Sequence, residues 1–424
     1  MSAVARRNRT LVIGAGSGRD IASAMLAVGM HRERFGSIDL AGFLTPWAWH
    51  SFDDQPERPI NQLRGRAVKF LAGQPDRPLT SFFEPSLPAV FADRGIDVDD
   101  IYLFSLQYGT AALERPFREL VSTGGYDRIV AVDIGGDILA RRQEFGRVLT
   151  PLIDFSCLEL LTALSSSVSV ELVVVAPGVC GEVASDALTQ IFETLAHGGA
   201  VTSVEHYTAD TPAYREFVAV NQELERLTTA RSHTFRVVTE LAARAPQQDA
   251  YDKEFVRRYQ IGDTAFDVTF PVSIAPRLHN QIWHLDPARV HRLLARPALH
   301  FRTLLDALAV AKNASLCGTE IDCTLVTADA ATAGRGPTVF LLTPCCYAQG
   351  RLRRAIIAAG IETWALRRAV PVVLLAHDAE DADLRGLRTW RAGQFTIAVS
   401  PAGARFAEAA YQALSAAASA LAQP

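Results

Sequence analysis

The sequence predicts an α/β protein: a doubly wound, mostly parallel Rossmann-like sheet followed by a smaller C-terminal α/β unit. Three observations carry this expectation. Short β-branched apolar runs alternate with helical patterns through most of the 424 residues. One of them, residues 168–175, is mostly apolar instead of alternating, as a strand covered on both faces is. Three runs end in glycines with carboxylates, at residues 14–20, 133–137 and 177–182. In a parallel sheet such ends share one edge, where open α/β sheets bind ligands.

The first strand, residues 10–13, runs into Gly14-Ala15-Gly16-Ser17-Gly18-Arg19-Asp20 and a helical pattern from Ile21. A strand, a glycine loop and a helix start offer free N–H groups and a helix dipole to an anionic or ribose-bearing ligand. Arg19 stands where the dinucleotide fingerprint requires its third glycine, so G-x-G-x-x-G is not met. The loop also resembles the first motif of Rossmann-type methyltransferases, except that Val12 stands where those carry an acid. A second strand covers 37–44, and a loop bearing His50 and Arg58 follows. A strand at 100–104 and a helix at 114–122, stopped by Gly124-Gly125, lead to the richest stretch, 129–146.

There, an apolar strand ends in Asp133, two glycines turn the chain, and Asp137 precedes an apolar restart at Ile138 that reads as a helix start. Gly135 and Gly136 permit a sharp turn and close approach to a ligand. Thr150 and Pro151 open the next helix, and Asp154 in its first turn reads as dipole compensation. After the strand at 168–175 comes the loop with Gly178, Cys180 and Glu182, then a helix. Residues 212–245 are helical in period, as are 286–294 and 302–311, and 319–322 begins a strand-like run. His279, Asn280, His284 and His291 invite a metal reading. They make no H-E-x-x-H motif and have no acid at helical spacing, so structural or surface roles are the expectation. A small, polar, glycine-bearing stretch at 329–337 separates a domain at 1–328 from a unit at 329–424. In that unit, strands at 338–342, 370–375 and 395–399 alternate with helices at 352–359 and 406–421.

Composition narrows the function classes. A net charge of -4 gives no electrostatic case for nucleic acid or an anionic membrane. No apolar run approaches the ~20 residues of a membrane span. Of six cysteines, none forms a C-x-x-C pair, so reduced thiols in a cytoplasmic protein are expected.

On these motifs the sequence resembles the domain of unknown function 1152 family over residues 8–328. The glycine loop with Asp20, the D-x-G-G-D-x-L-A run from Asp133 to Ala140 followed by Glu144, and the P-x-x-D helix start at Pro151 and Asp154 carry the likeness. So do the loop with Pro177, Gly178, Gly181 and Glu182, and Thr319 to Asp322. Cys180 stands where the family usually has aspartate. A thiol at a helix start could serve as a nucleophile, or it could be a small replacement lining the site.

The leading expectation is an enzyme acting on a phosphorylated or nucleotide-like small molecule by acid–base or metal-assisted group transfer, hydrolysis or elimination. Asp133, Asp137 and Glu182 are the candidate catalytic residues. Gly14, Gly16, Ser17, Gly18, Asp20, Gly135, Gly136, Glu144, Gly178 and Cys180 are the candidate ligand contacts. The identity of any metal is open. Mg2+ fits because hard cations prefer oxygen ligands. The alternatives are a Rossmann-type enzyme using NAD(P) or S-adenosylmethionine, and a sensor or assembly subunit without chemistry. Self-association into a homo-oligomer is open.

Overall fold

The computed structural model describes residues 9–16, 19–43, 60–63, 84–104, 110–141, 144, 148, 151–227, 232–244, 249–261 and 264–295, together with five later strands. The chain opens with β1 (Arg9–Gly14), α1 (Asp20–Met30) and β2 (Ser37–Phe43). Next come β3 (Ile60–Leu63), α2 (Leu87–Asp93), β4 (Ile101–Phe104), α3 (Thr110–Gly124) and β5 (Arg128–Ile134). Then follow α4 (Pro151–Leu164), β6 (Ser169–Val175), α5 (Ser185–His197) and β7 (Val201–His206). After α6 (Pro212–Leu227) and α7 (His233–Ala242), a hairpin of β8 (Tyr251–Ile261) and β9 (Thr264–Ile274) precedes β10 (Gln281–Leu285) and α8 (Pro287–Leu293).

Eight of these strands form one sheet in the order β3-β4-β2-β1-β5-β6-β10-β7. β4, β2, β1, β5 and β6 are mutually parallel. β3 is reversed against β4, and β10 is reversed against both β6 and β7. The protein is thus an α/β, Rossmann-like doubly wound fold. Strand order reverses direction between β1 and β5, so the ligand-binding switch point of such sheets lies between their carboxyl ends. Right-handed crossovers put α1 and α2 on one face and α3, α4 and α5 on the other. The packing agrees: α6 lies against α1, α2 and α7, while α4 lies against α3 and α8.

β1, β2 and β5 are buried along almost their whole length, as strands covered on both faces must be. β2 carries one buried carboxylate, Asp39. Its carboxylate lies 2.8 Å from Arg9 Nη2, accepts the Asp100 N–H at 2.9 Å and accepts the Tyr126 hydroxyl. α1 is buried on all sides from Asp20 to Val28, in keeping with a sequence that is apolar apart from Asp20 and Ser23.

The structure corrects several local expectations. The restart at Ile138 is a single 3₁₀ turn, Asp137–Leu139, not a helix, and the next helix begins at Pro151. The helical period of residues 212–245 is realised as two helices, α6 and α7. β3, β7, β8, β9 and β10 had no clear counterpart in the sequence pattern. Asp286 caps α8 by accepting the N–H groups of Ala288 and Arg289. Thr150, the loop with His50 and Arg58, the strand-like run at 319–322 and the helices expected at 302–311, 352–359 and 406–421 lie outside the described residues.

The later strands form a second sheet: β11 (Thr324–Thr327), β12 (Thr338–Leu342), β13 (Val372–His377), β14 (Arg388–Ala392) and β15 (Phe395–Val399), ordered β11-β12-β13-β15-β14. The division expected at 329 falls between β11 and β12, which pair antiparallel. Among the described residues no helix is long and apolar enough to cross a membrane.

Gly14 sets how closely α1 can approach the sheet. A Cβ there would fall 2.6 Å from the Ile21 Cα and 2.7 Å from the Asp20 carbonyl carbon, both backbone atoms that cannot swing away. Gly14→Ala should therefore lower stability by about 3 kcal/mol, read as a fall in the urea midpoint. An unchanged midpoint would show that α1 has room to spare.

Candidate functional site

The glycine and acid loops after β1, β5 and β6 meet at the carboxyl edge of the sheet. The first is tied to the second by the Ala15 N–H, which donates to Val132 O at 2.8 Å. The second is tied to the third by the Gly178 N–H, which donates to Gly135 O at 2.7 Å. Gly135 and Gly136 have φ of +118° and +88°, values an L side chain resists, so glycine is required here. Gly135 also admits the third loop, since a Cβ on it would lie 2.7 Å from Cys180 Sγ.

Carboxylates converge on this junction from each loop and from α4. Asp20, in the first turn of α1, turns back to accept the Gly16 N–H at 2.8 Å. Asp133, at the end of β5 and fully buried, accepts the Gly136 N–H through Oδ2 at 2.8 Å. Its Oδ1 is buried with no hydrogen-bond partner among the described residues. Asp154 is also fully buried, and a Cβ on Gly16 would stand 2.6 Å from its Oδ1. Oxygens of Asp133, Asp137 and Asp154 lie within 4.8 Å of one another, and ligand atoms of Asp137, Cys180 and Glu182 form a second such group. Asp137 belongs to both. It and Glu182 keep a little exposure, 7% and 9%, whereas Asp133 and Asp154 have none, so a ligand reaches the first pair first.

The electrostatics follow from burial of like charges. Burial, then the charges of Asp133, Asp137 and Glu182, raises the Asp20 carboxyl well above its ordinary range. Burial and then Asp137 do the same to Asp133. Asp137 is pushed up by burial to only about 6, because hydrogen bonds with Asp133, Asp154 and Cys180 favour its anion. Among the described residues no lysine or arginine forms an ion pair with Asp20, Asp133 or Asp137. Such a group stays together by sharing protons or by enclosing a cation.

Of the residues expected at the site, Gly14, Gly16, Asp20, Asp133, Gly135, Gly136, Asp137, Gly178, Cys180 and Glu182 are brought to this edge. Glu144 accepts the Arg141 N–H at 2.7 Å and pairs with the Arg141 guanidinium at 3.0 Å. Ser17 and Gly18 lie outside the described residues. Cys180 sits in a turn, five residues before α5 begins, so no helix dipole activates it. Burial, then the charges of Asp137 and Glu182, pushes its thiol well up, which keeps it a neutral hydrogen-bond donor and argues against the nucleophile role. Asp154 is the residue whose part the sequence concealed. The P-x-x-D spacing located it in the first turn of α4, as expected, and from there it also completes the carboxylate group.

Fold and site together define a Rossmann-like α/β protein with an acid-lined switch point. The chain belongs to the family described as protein of unknown function (DUF1152), which matches residues 11–228, just over half its length. Comparison with curated proteins and with solved structures finds no match.

The shift at Asp137 fixes a sign. Its carboxyl is held at about 6 in the folded protein against 3.8 ordinarily, so between those values the folded state keeps a proton that the unfolded chain releases. Stability from this group is intact below the lower value and is lost as pH rises to about 6, on the order of 3 kcal/mol. Chelator-treated wild type should therefore lose melting temperature relative to Asp137→Asn across that window. A constant difference between the two proteins would contradict the assignment.

Proposed function

We propose that the protein is an enzyme acting on a phosphorylated or nucleotide-like small molecule, with a divalent cation held by Asp133, Asp137 and Asp154. The observation that carries this reading is the convergence of three buried carboxylates on one point, one of which, Asp133, has an oxygen with no hydrogen-bond partner among the described residues. Hard cations such as Mg2+ take oxygen ligands of this kind. A phosphate could not approach five clustered acids directly. A cation held by Asp133, Asp137 and Asp154 would offset their charge and supply Lewis-acid polarisation of a phosphoryl oxygen. Asp137 and Glu182 face the ligand, and Glu182, left outside the cation's triad, is the group that gives or takes a proton. Group transfer, hydrolysis and elimination all use this arrangement. The buried free thiols Cys157 and Cys180 and the chain's net negative charge support a cytoplasmic protein whose partner is a small molecule, not a nucleic acid.

The strand order favours a second reading, an enzyme using NAD(P) or S-adenosylmethionine. The switch point lies beside the first glycine loop, the stretch that resembles the first motif of Rossmann-type methyltransferases, and such switch points are where doubly wound sheets bind dinucleotides. Fold alone does not assign chemistry. β2 ends in Phe43 with no carboxylate for a ribose, and the acid within it, Asp39, is engaged by Arg9 and Tyr126.

Incubation with phosphorylated sugars and nucleotides, with Mg2+ or Mn2+, should give product by mass spectrometry that chelation abolishes. Asp137→Asn should cut the rate by about 100-fold or more. Turnover indifferent to both changes would end the reading. A rise in melting temperature with S-adenosylmethionine or NAD(P), and with none of the phosphorylated compounds, would favour the second.

A further inference from the structure

A second group of ligating side chains lies at the other end of α1. His31 terminates that helix, Glu205 lies near the end of β7 and His284 lies within β10. The register explains why the strand residues share a face. His284 pairs with Val173 on one side and Ser203 on the other, which places Glu171 and Glu205 two residues along on the neighbouring strands, on the same side of the sheet. An 11-residue helix spans about 16 Å, so this group is separate from the carboxylates around Asp137.

Its geometry asks for a cation. His284 Nδ1 lies 2.7 Å from Glu171 Oε1, and a carboxylate can only accept, so Nδ1 carries a hydrogen. In the neutral ring that leaves a lone pair on Nε2. This atom is buried without a hydrogen-bond partner among the described residues and stands 3.6 Å from Glu205 Oε1. His31 Nε2 reaches the same oxygen at 2.5 Å. Tetrahedral ligands at zinc distances lie roughly 3.3 Å apart, a value these two separations bracket. A carboxylate behind a ligating histidine is the usual second partner in zinc sites, where it fixes the tautomer and orients the ring. The side chains of His31 and Glu205 are 18% and 21% exposed, which leaves an entry path from solvent.

We propose that His31, Glu205 and His284 form a binding site for a zinc-class divalent ion, with Glu171 holding His284 in the ligating tautomer. Two imidazoles and one carboxylate suit zinc better than Mg2+ or Ca2+, and water fills the fourth position. The ion cross-links the end of α1 to β7 and β10 at the sheet margin.

Titration of metal-free protein with Co2+ tests this. One ion per chain should give the intense visible absorption of low-coordinate cobalt, and Zn2+ should displace it. The absorption should persist in Asp137→Asn and vanish in both His284→Gln and His31→Gln. Glu171→Gln should weaken Zn2+ binding about 10- to 100-fold. His31 lies at a partly exposed helix end, so His31→Gln decides the matter even if His284→Gln fails to fold, with far-UV circular dichroism as the check. Absence of the cobalt band in wild type, or an unchanged band in His31→Gln, would show that these residues form only a hydrogen-bonded network.

Discussion

Mutual repulsion among carboxylates buried at one seam is the constraint on which the rest of the molecule depends. Asp20, Asp133, Asp137, Asp154 and Glu182 arrive from separate segments and meet where water cannot screen them. In a dinucleotide-binding fold the amides after β1 would cradle a phosphate. Here the chain's own acids use them: the Gly16 N–H donates to Asp20, and the Gly136 N–H donates to Asp133. At these two amides the loops present carboxylate oxygen in place of amide hydrogen, the property on which the proposed cation site rests.

α1 connects this seam with the opposite part of the sheet. It is buried along nearly its whole length, and Gly29 meets Ala213 of α6 at close range. Its first residue belongs to the carboxylate group, and the residue that terminates it belongs to the histidine group. The donors at the two ends differ in kind, oxygen at one and mainly nitrogen at the other, so the two proposed sites would favour different ions.

The sequence showed the parallel core because β1, β5 and β6 are short apolar runs ending in glycine and acid, and each constraint is local. What it concealed depended on pairing across the sheet. β7 lies at an edge with mostly exposed residues, and β10 carries polar and aromatic residues between two reversed partners, so neither has a strong period. His284 lacked an acid at helical spacing, and its partners Glu171 and Glu205 stand on neighbouring strands instead. Asp154 looked like an ordinary first-turn acid, because only the packing of α4 against the loop after β5 reveals what it faces.

The loop joining β1 to α1 and the end of β5 belong to adjacent strands that are distant along the chain, with β2, β3 and β4 formed between them. The central pair can therefore close only after a large loop has been gathered, which makes its assembly slow. The acids of the β1 and β5 loops meet only once that pair has closed, so an ion held by them would stabilise the native state more than the path to it and would lengthen the lifetime of the folded molecule.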